Sequence, residues 1–134
     1  MRIAIYSDVH GNLTALQTVL ADIKKQAPDL IAFAGDLCLM GPRPKACLEL
    51  ARAETDMFVY GNTDEMIHTP LNIPDDAADT QRQRLESFNE LAKWTQEQLG
   101  PEHVAWLQRL PFGHRVSPTA VPSDDLLIVH ANPL

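Results

Sequence analysis

The run Ile3-Ala4-Ile5-Tyr6-Ser7-Asp8-Val9-His10-Gly11-Asn12 decides how this chain is read. Its first four residues are apolar and partly β-branched, the make-up of a buried strand. Asp8 and His10 follow at once, two metal-capable side chains on either side of one apolar residue. Residues two apart in extended chain point the same way, so this pair can share a cation while Val9 turns into the core. Beyond Gly11, Asn12 suits a helix N-cap. Leu13, Leu16, Val19, Leu20 and Ile23 then recur at three- and four-residue spacing, one apolar face of a helix.

Working outward, three more apolar runs read as strands: Leu30 to Ala34, Met57 to Tyr60 and Leu126 to Val129. Between the first two of these, Pro42 or Pro44 can open a helix carrying Ala46, Leu48, Ala51 and Ala53. The order β-α-β-α-β implies a parallel sheet with right-handed crossovers, hence the α/β class. A helical segment spans about 79–111: Leu85, Phe88, Leu91, Trp94 and Leu99 form a stripe, Gly100-Pro101 stops one helix and starts the next, and Pro111 ends it. Core packing accounts for Trp94 and Trp106. Thr69 to Ala78 and Pro118 to Asp125 read as loops, with Gly113 to Ser117 a short strand between.

With 134 residues, 45% hydrophobic and 22% charged, residues 1–134 fit one soluble domain. The net charge of -7 argues against nucleic acid as a partner, since phosphate-binding surfaces are usually basic. Bound cations can reverse a local field, so a small phosphate-bearing substrate stays compatible. Cys38 and Cys47 are too few for a disulfide framework, and a reducing compartment suits them. No signal segment or long apolar run is visible, so the expected location is the cytoplasm, off the membrane. Neither glycine-rich nucleotide fingerprint occurs, which argues against a nucleotide-binding regulatory domain.

The chemistry lies at the ends of the four runs. Asp8 and His10 follow the first, Gly35-Asp36 the second, Gly61-Asn62 the third and His130 the fourth. The crevice beyond the carboxyl ends of an open parallel sheet is the usual binding site, and all four runs would deliver ligands to that edge. Asp36 has two oxygens with which to bridge two cations, while Asn62 and His130 can add an amide oxygen and an imidazole nitrogen to the second. Such ligands suit manganese, iron, zinc or nickel better than calcium. Gly11, Gly35 and Gly61 would let backbone run close to the metals. Any one of these residues is more often a turn residue than a ligand; four strand ends matching together are not explained that way.

Ser7-Asp8-Val9-His10-Gly11-Asn12, Gly35-Asp36 with Gly41-Pro42, Gly61-Asn62-Thr63-Asp64 and Val129-His130 together resemble, in order and spacing, the signature of the calcineurin-like phosphoesterases. The likeness is to the small bacterial and archaeal phosphodiesterases, and it spans the chain, including Trp106-Leu107-Gln108-Arg109-Leu110-Pro111. It implies a sandwich of two mixed sheets flanked by helices. It also implies Asp8 and His10 as ligands of a first metal, Asp36 as the bridge, and Asn62 and His130 as ligands of a second, Asn62 positioning phosphate as well. The implied activity is hydrolysis of a phosphoester or nucleotide, as phosphodiesterase or phosphatase, by a hydroxide bridging two divalent ions.

The pattern also breaks. The family's later Gly-His-x-His motif is missing. Gly113-His114-Arg115-Val116 imitates only its first half and precedes His130, so His114 is read as a strand or loop residue. Such a chain is expected to be the N-terminal part of a longer protein, its second sheet incomplete, with exposed apolar faces that favour self-association. Thr63 stands where many members place a histidine that protonates the leaving group, a task a hydroxyl does poorly near neutral pH. Asp64 is either a second-layer partner of a ligand such as His10 or a turn cap. His68 is read as a solvated loop histidine in preference to a substrate contact, and Arg43 as a phosphate contact or a helix-start residue. The alternative to an enzyme is a non-catalytic scaffold or fragment keeping the fold, as in the retromer scaffold subunit that the family resembles.

Overall fold

A computed structural model describes residues 1–131. Strands β1 (Ile3–Tyr6), β2 (Leu30–Phe33) and β3 (Met57–Phe58) form a parallel sheet in the order β1-β2-β3, with Ile3 opposite Leu30 and Ala32 opposite Met57. Helices α1 (Leu13–Lys25) and α2 (Pro44–Glu54) make the crossovers. Asn12 caps α1 as expected, its Oδ1 accepting from Ala15 N at 3.1 Å. Pro44, not Pro42, opens α2. Strand β3 is shorter than the apolar run suggests, because Tyr60 N leaves the sheet and donates to Pro111 O at 3.1 Å.

Strand alternation sorts the core into two layers. Tyr6, Phe33 and Phe58 face the helices, where Leu16, Leu20, Cys47, Leu48, Leu99 and Leu107 bury them. The rings run in contact from Tyr6 to Phe33 (centroids 5.1 Å apart), on to Phe58 (5.9 Å) and to Trp106 (5.0 Å, edge-on). Arg52 closes the row with its guanidinium 5.0 Å from the Trp106 ring, a cation–π contact. Ala32, Ala34 and Val59 point the other way and meet Val116 and Ile128 from a second, antiparallel sheet of β4 (Gly113–Val116) and β5 (Leu126–Val129).

This placement corrects one expectation: the fourth apolar run is not a strand of the parallel sheet but part of the sheet packed against it. Periodicity cannot distinguish these, because a short apolar run is equally at home in either layer. The two-stranded second sheet leaves part of the first uncovered among the described residues. Ile5, on the same face of β1 as Ile3, is 48% exposed, and Leu127 is 56% exposed.

Two further helices complete the described chain. Helix α3 (Asn62–His68) occupies a segment to which the sequence reading assigns no element, so His68 ends a helix instead of lying in a loop. Helix α4 (Asp79–Leu107) breaks at Gly100, where φ is 75° and ψ 166°, matching the expected stop and restart at Gly100-Pro101. Trp106 packs against the core, but Trp94 is 38% exposed and does not. Ala92, Thr95 and Leu99 take the inward positions instead. No helix among the described residues is long and apolar enough to cross a membrane.

Candidate metal centre

The loops leaving β1, β2 and β3 meet the end of β5. Asp8, His10 and Asp36 each offer a ligand atom, all within 4.8 Å of one another. His10 Nε2 lies 3.8 Å from Asp8 Oδ1 and 3.6 Å from Asp36 Oδ2. On the other side of the same carboxylate, His130 Nε2 lies 3.5 Å from Asp36 Oδ1 and 3.1 Å from Asn62 Oδ1. The structure thus brings all five residues singled out by the sequence together. Asp36 stands between two histidines with one oxygen toward each.

The pairing of Asp8 with His10 does not arise from extended alternation. Both are left-handed, with φ 56° and 47°, and Asp36 shares that conformation at φ 67°. Non-glycine residues with positive φ are uncommon, and they concentrate at functional sites, where surrounding contacts hold the strained backbone. Here those contacts are main-chain bonds between the loops: Asp8 N donates to Gly35 O (2.9 Å), His10 N to Asp36 O (3.0 Å) and Gly11 N to Leu37 O (2.8 Å). Val9 is still buried, as expected.

His130 reaches the centre by strand alternation on β5. Ile128 packs against the first sheet, and His130, two residues on, continues that face. Its path crosses Gly35, which has φ 97°; a Cβ there would stand 2.6 Å from His130 Nδ1 and 2.7 Å from Gly61 N. A side chain at Gly35 would therefore separate β5 from the ligand loops. At the other end, Gly11 and Gly41 lie back to back, a Cβ on Gly11 falling 2.9 Å from the Gly41 carbonyl.

Both histidines are set for a cation. His10 Nδ1 is 3.1 Å from Leu39 O and His130 Nδ1 is 2.7 Å from Ala34 O. A carbonyl only accepts, so each Nδ1 carries a proton, and Nε2 is the ring nitrogen turned toward the carboxylates, the one that can ligate a cation from the neutral ring. Metal-ligating histidines are held in this way, and a divalent cation fits this donor set of carboxylate oxygens, amide oxygen and imidazole nitrogens. The two carbonyls belong to an alanine and a leucine, so no residue type announces them in the sequence.

Asp64 is fully buried and joins two of the ligand loops. Its Oδ2 accepts from Asp36 N (2.8 Å) and Gly61 N (2.9 Å), and its Oδ1 from Leu37 N (2.9 Å). It caps α3 at Gly61 and holds the main chain of a candidate ligand at the same time. That candidate is Asp36 and not His10. Burial raises its carboxyl above the ordinary range, while the three N–H donors pull the other way.

The remaining candidates add no side-chain donor to the cluster. His114 is on β4, opposite Ile128. Arg43 is exposed before the first turn of α2, its N donating to Gly11 O at 3.1 Å. Thr63 donates its N–H to Asp36 Oδ1 at 3.0 Å, but its hydroxyl is buried without a hydrogen-bond partner. A buried unpaired hydroxyl costs stability, so Thr63→Val is expected to match or raise the thermal stability, by up to about 2 kcal/mol. A clear drop in the melting temperature would show that the hydroxyl has a partner after all.

Comparisons with known proteins place the fold. A family model described as calcineurin-like phosphoesterase matches residues 1–133. An uncharacterized protein of Methanocaldococcus jannaschii is 30% identical over 135 residues, covering 98% of this chain and 49% of the relative. A crystal structure of a metallophosphoesterase from Sphaerobacter thermophilus is 36% identical with a TM-score of 0.63, covering 85% of this chain and 43% of that one. A hypothetical protein from Pyrococcus horikoshii shares the fold at 20% identity, TM-score 0.66, with 86% of this chain and 50% of that one covered. The chain spans about half the length of these relatives. With the ordered ligand loops, the sandwich and a family match over nearly every residue in agreement, the chain belongs to the calcineurin-like phosphoesterase family.

Proposed function

We propose that this protein is a metal-dependent phosphoester hydrolase whose centre holds two divalent cations, with Asp8, His10 and Asp36 on the first and Asp36, Asn62 and His130 on the second. The observation that carries this reading is the position of Asp36, with Oδ2 3.6 Å from His10 Nε2 and Oδ1 3.5 Å from His130 Nε2. A carboxylate turned this way has one oxygen for each of two cations. The first five ligand positions are all filled, which favours an enzyme over a scaffold with a decayed site, although the two later histidines of the family pattern are missing from this sequence.

Two such cations supply Lewis acidity toward water and toward the phosphoryl oxygens. The residues do the rest. Leu39 O and Ala34 O hold the imidazoles in one tautomer, and the Asn62 carboxamide has an N–H to direct at a phosphoryl oxygen. No cysteine competes as nucleophile: Cys38 and Cys47 are buried, and burial pushes the Cys47 thiol up to about 11. The buried Thr63 hydroxyl cannot protonate a departing alkoxide, so esters with good leaving groups are the favoured substrates. Both thiols are free, which fits the cytoplasmic location we propose. The substrate is a small phosphoester or nucleotide, and manganese, iron, zinc or nickel all suit the donors.

The test is to strip the protein with chelator, restore manganese and follow hydrolysis of bis(p-nitrophenyl) phosphate. Activity should require metal, and His10→Ala should lower it by at least about 100-fold. Metal-dependent hydrolysis unaffected by that substitution would sink the proposal.

A further inference from the structure

A cavity of about 200 Å³ lies between α3 and the end of α4, lined by Tyr60, Glu65, His68, Leu107, Gln108 and Leu110. Its position ties it to the metal centre. Glu65 lies one helical turn after Asn62 in α3 and His68 one turn further, so these two lining residues stand about 5 and 9 Å along the helix from the candidate ligand. A 5′-nucleotide places its base a comparable span from its phosphorus.

The lining is amphipathic in a particular way. Leu107 and Leu110 supply apolar walls, and the Tyr60 ring is braced edge-on by Phe112 with centroids 6.0 Å apart. Glu65, His68 and Gln108 supply polar groups. His68 Nδ1 is 3.1 Å from Thr69 Oγ1, which leaves Nε2 for a ligand. Flat apolar walls with polar groups beside them match a nucleobase, which has apolar faces and a polar edge. An ionised carboxylate only accepts hydrogen bonds. Of the common bases, guanine alone offers adjacent N–H donors to such a group, from N1 and the N2 amino group. Adenine and cytosine present a ring-nitrogen acceptor there, and uracil flanks its single N–H with carbonyls.

We infer that this cavity is a base-binding subsite selecting guanine nucleotide esters, with Glu65 reading the N1 and N2 edge and Gln108 beside it. The inference rests on the hydrolase reading for its catalytic consequence, but not for binding. The metal-loaded protein is assayed with the p-nitrophenyl 5′-phosphodiesters of guanosine and adenosine, and with bis(p-nitrophenyl) phosphate. Saturation-transfer NMR of GMP and AMP against the chelated protein is recorded alongside. The guanosine ester should show a KM lower by about tenfold or more, since a bidentate carboxylate contact discriminates at that level. Glu65→Gln should bring the guanosine-to-adenosine ratio near one, and GMP should give base-proton transfer that AMP does not. Equal KM values, or a preference that survives Glu65→Gln, overturn the subsite. If no ester is hydrolysed, bis(p-nitrophenyl) phosphate included, the hydrolase reading fails, and the NMR comparison decides the cavity: base transfer from GMP alone upholds it, and equal or no transfer overturns it.

Discussion

Asp36→Asn is expected to reduce bound metal from two ions per chain to at most one and to lower hydrolysis by about 1000-fold or more. The change is nearly isosteric, which makes it a test of charge and bridging alone. Asparagine keeps an oxygen that can accept from Thr63 N, as Asp36 Oδ1 does at 3.0 Å, so the loop has reason to stay in place. What is lost is the second acceptor. An amide N–H₂ would then face one of the two histidines whose Nε2 atoms lie 3.5 and 3.6 Å from this group. A donor cannot ligate, and one negative charge leaves a side chain that is only 6% exposed. Metal analysis of the purified variant, a thermal melt and the phosphodiester assay together check this. Two bound ions with a rate within a few-fold of the parent would mean that Asp36 is not the bridge.

The candidate site was legible in the sequence because its candidate ligands come from strand ends, and short apolar runs followed by Asp, His or Asn mark such ends without any knowledge of the contacts. The mechanism that aims those ligands was not legible. Asp8 and His10 meet through left-handed backbone at both residues, whereas their spacing suggests ordinary strand alternation. Only the neighbouring loop, through Gly35 O and Asp36 O, determines which holds. Likewise His130 arrives from the second sheet, and a four-residue apolar run carries no mark of the layer it belongs to.

Helix α3 was hidden by its composition. Asn62, Thr63, Asp64 and Glu65 show no apolar period, and the helix stands on the Asp64 cap and the burial of Ile67. Trp94 failed for the converse reason: a stripe drawn through large apolar residues passes over Thr95. That residue is buried because its hydroxyl donates to Leu91 O at 2.9 Å within its own helix. Glu65 and Tyr60 drew no notice, since their significance depends on Leu107 and Leu110 arriving from the far end of α4.

Asp64→Ala is expected to cost about 3 to 5 kcal/mol in folding stability, far beyond the loss of a helix cap, which is worth about 1 kcal/mol. Three main-chain N–H groups, of Asp36, Leu37 and Gly61, would lose their acceptor at a place where the carboxylate is 1% exposed, and each buried donor left unpaired costs about 1 to 3 kcal/mol. The sum is not fully additive, because water can enter the space that the carboxylate leaves. The same substitution frees the Asp36 loop from the Gly61 loop, so metal affinity should fall by about 10- to 100-fold even in molecules that fold. Asp64→Asn separates the two effects. Its carbonyl oxygen can still accept from Asp36 N and Gly61 N, while its N–H₂ opposes Leu37 N, so it should fall between parent and alanine in both measurements. Urea unfolding of the metal-free protein reads the stability, and manganese titration of the folded fraction reads the affinity. If Asp64→Ala cost only about 1 kcal/mol and left manganese affinity unchanged, Asp64 would be a helix cap alone, and the alignment of Asp36 between His10 and His130 would have to be maintained by the main-chain bonds of the β1 loop.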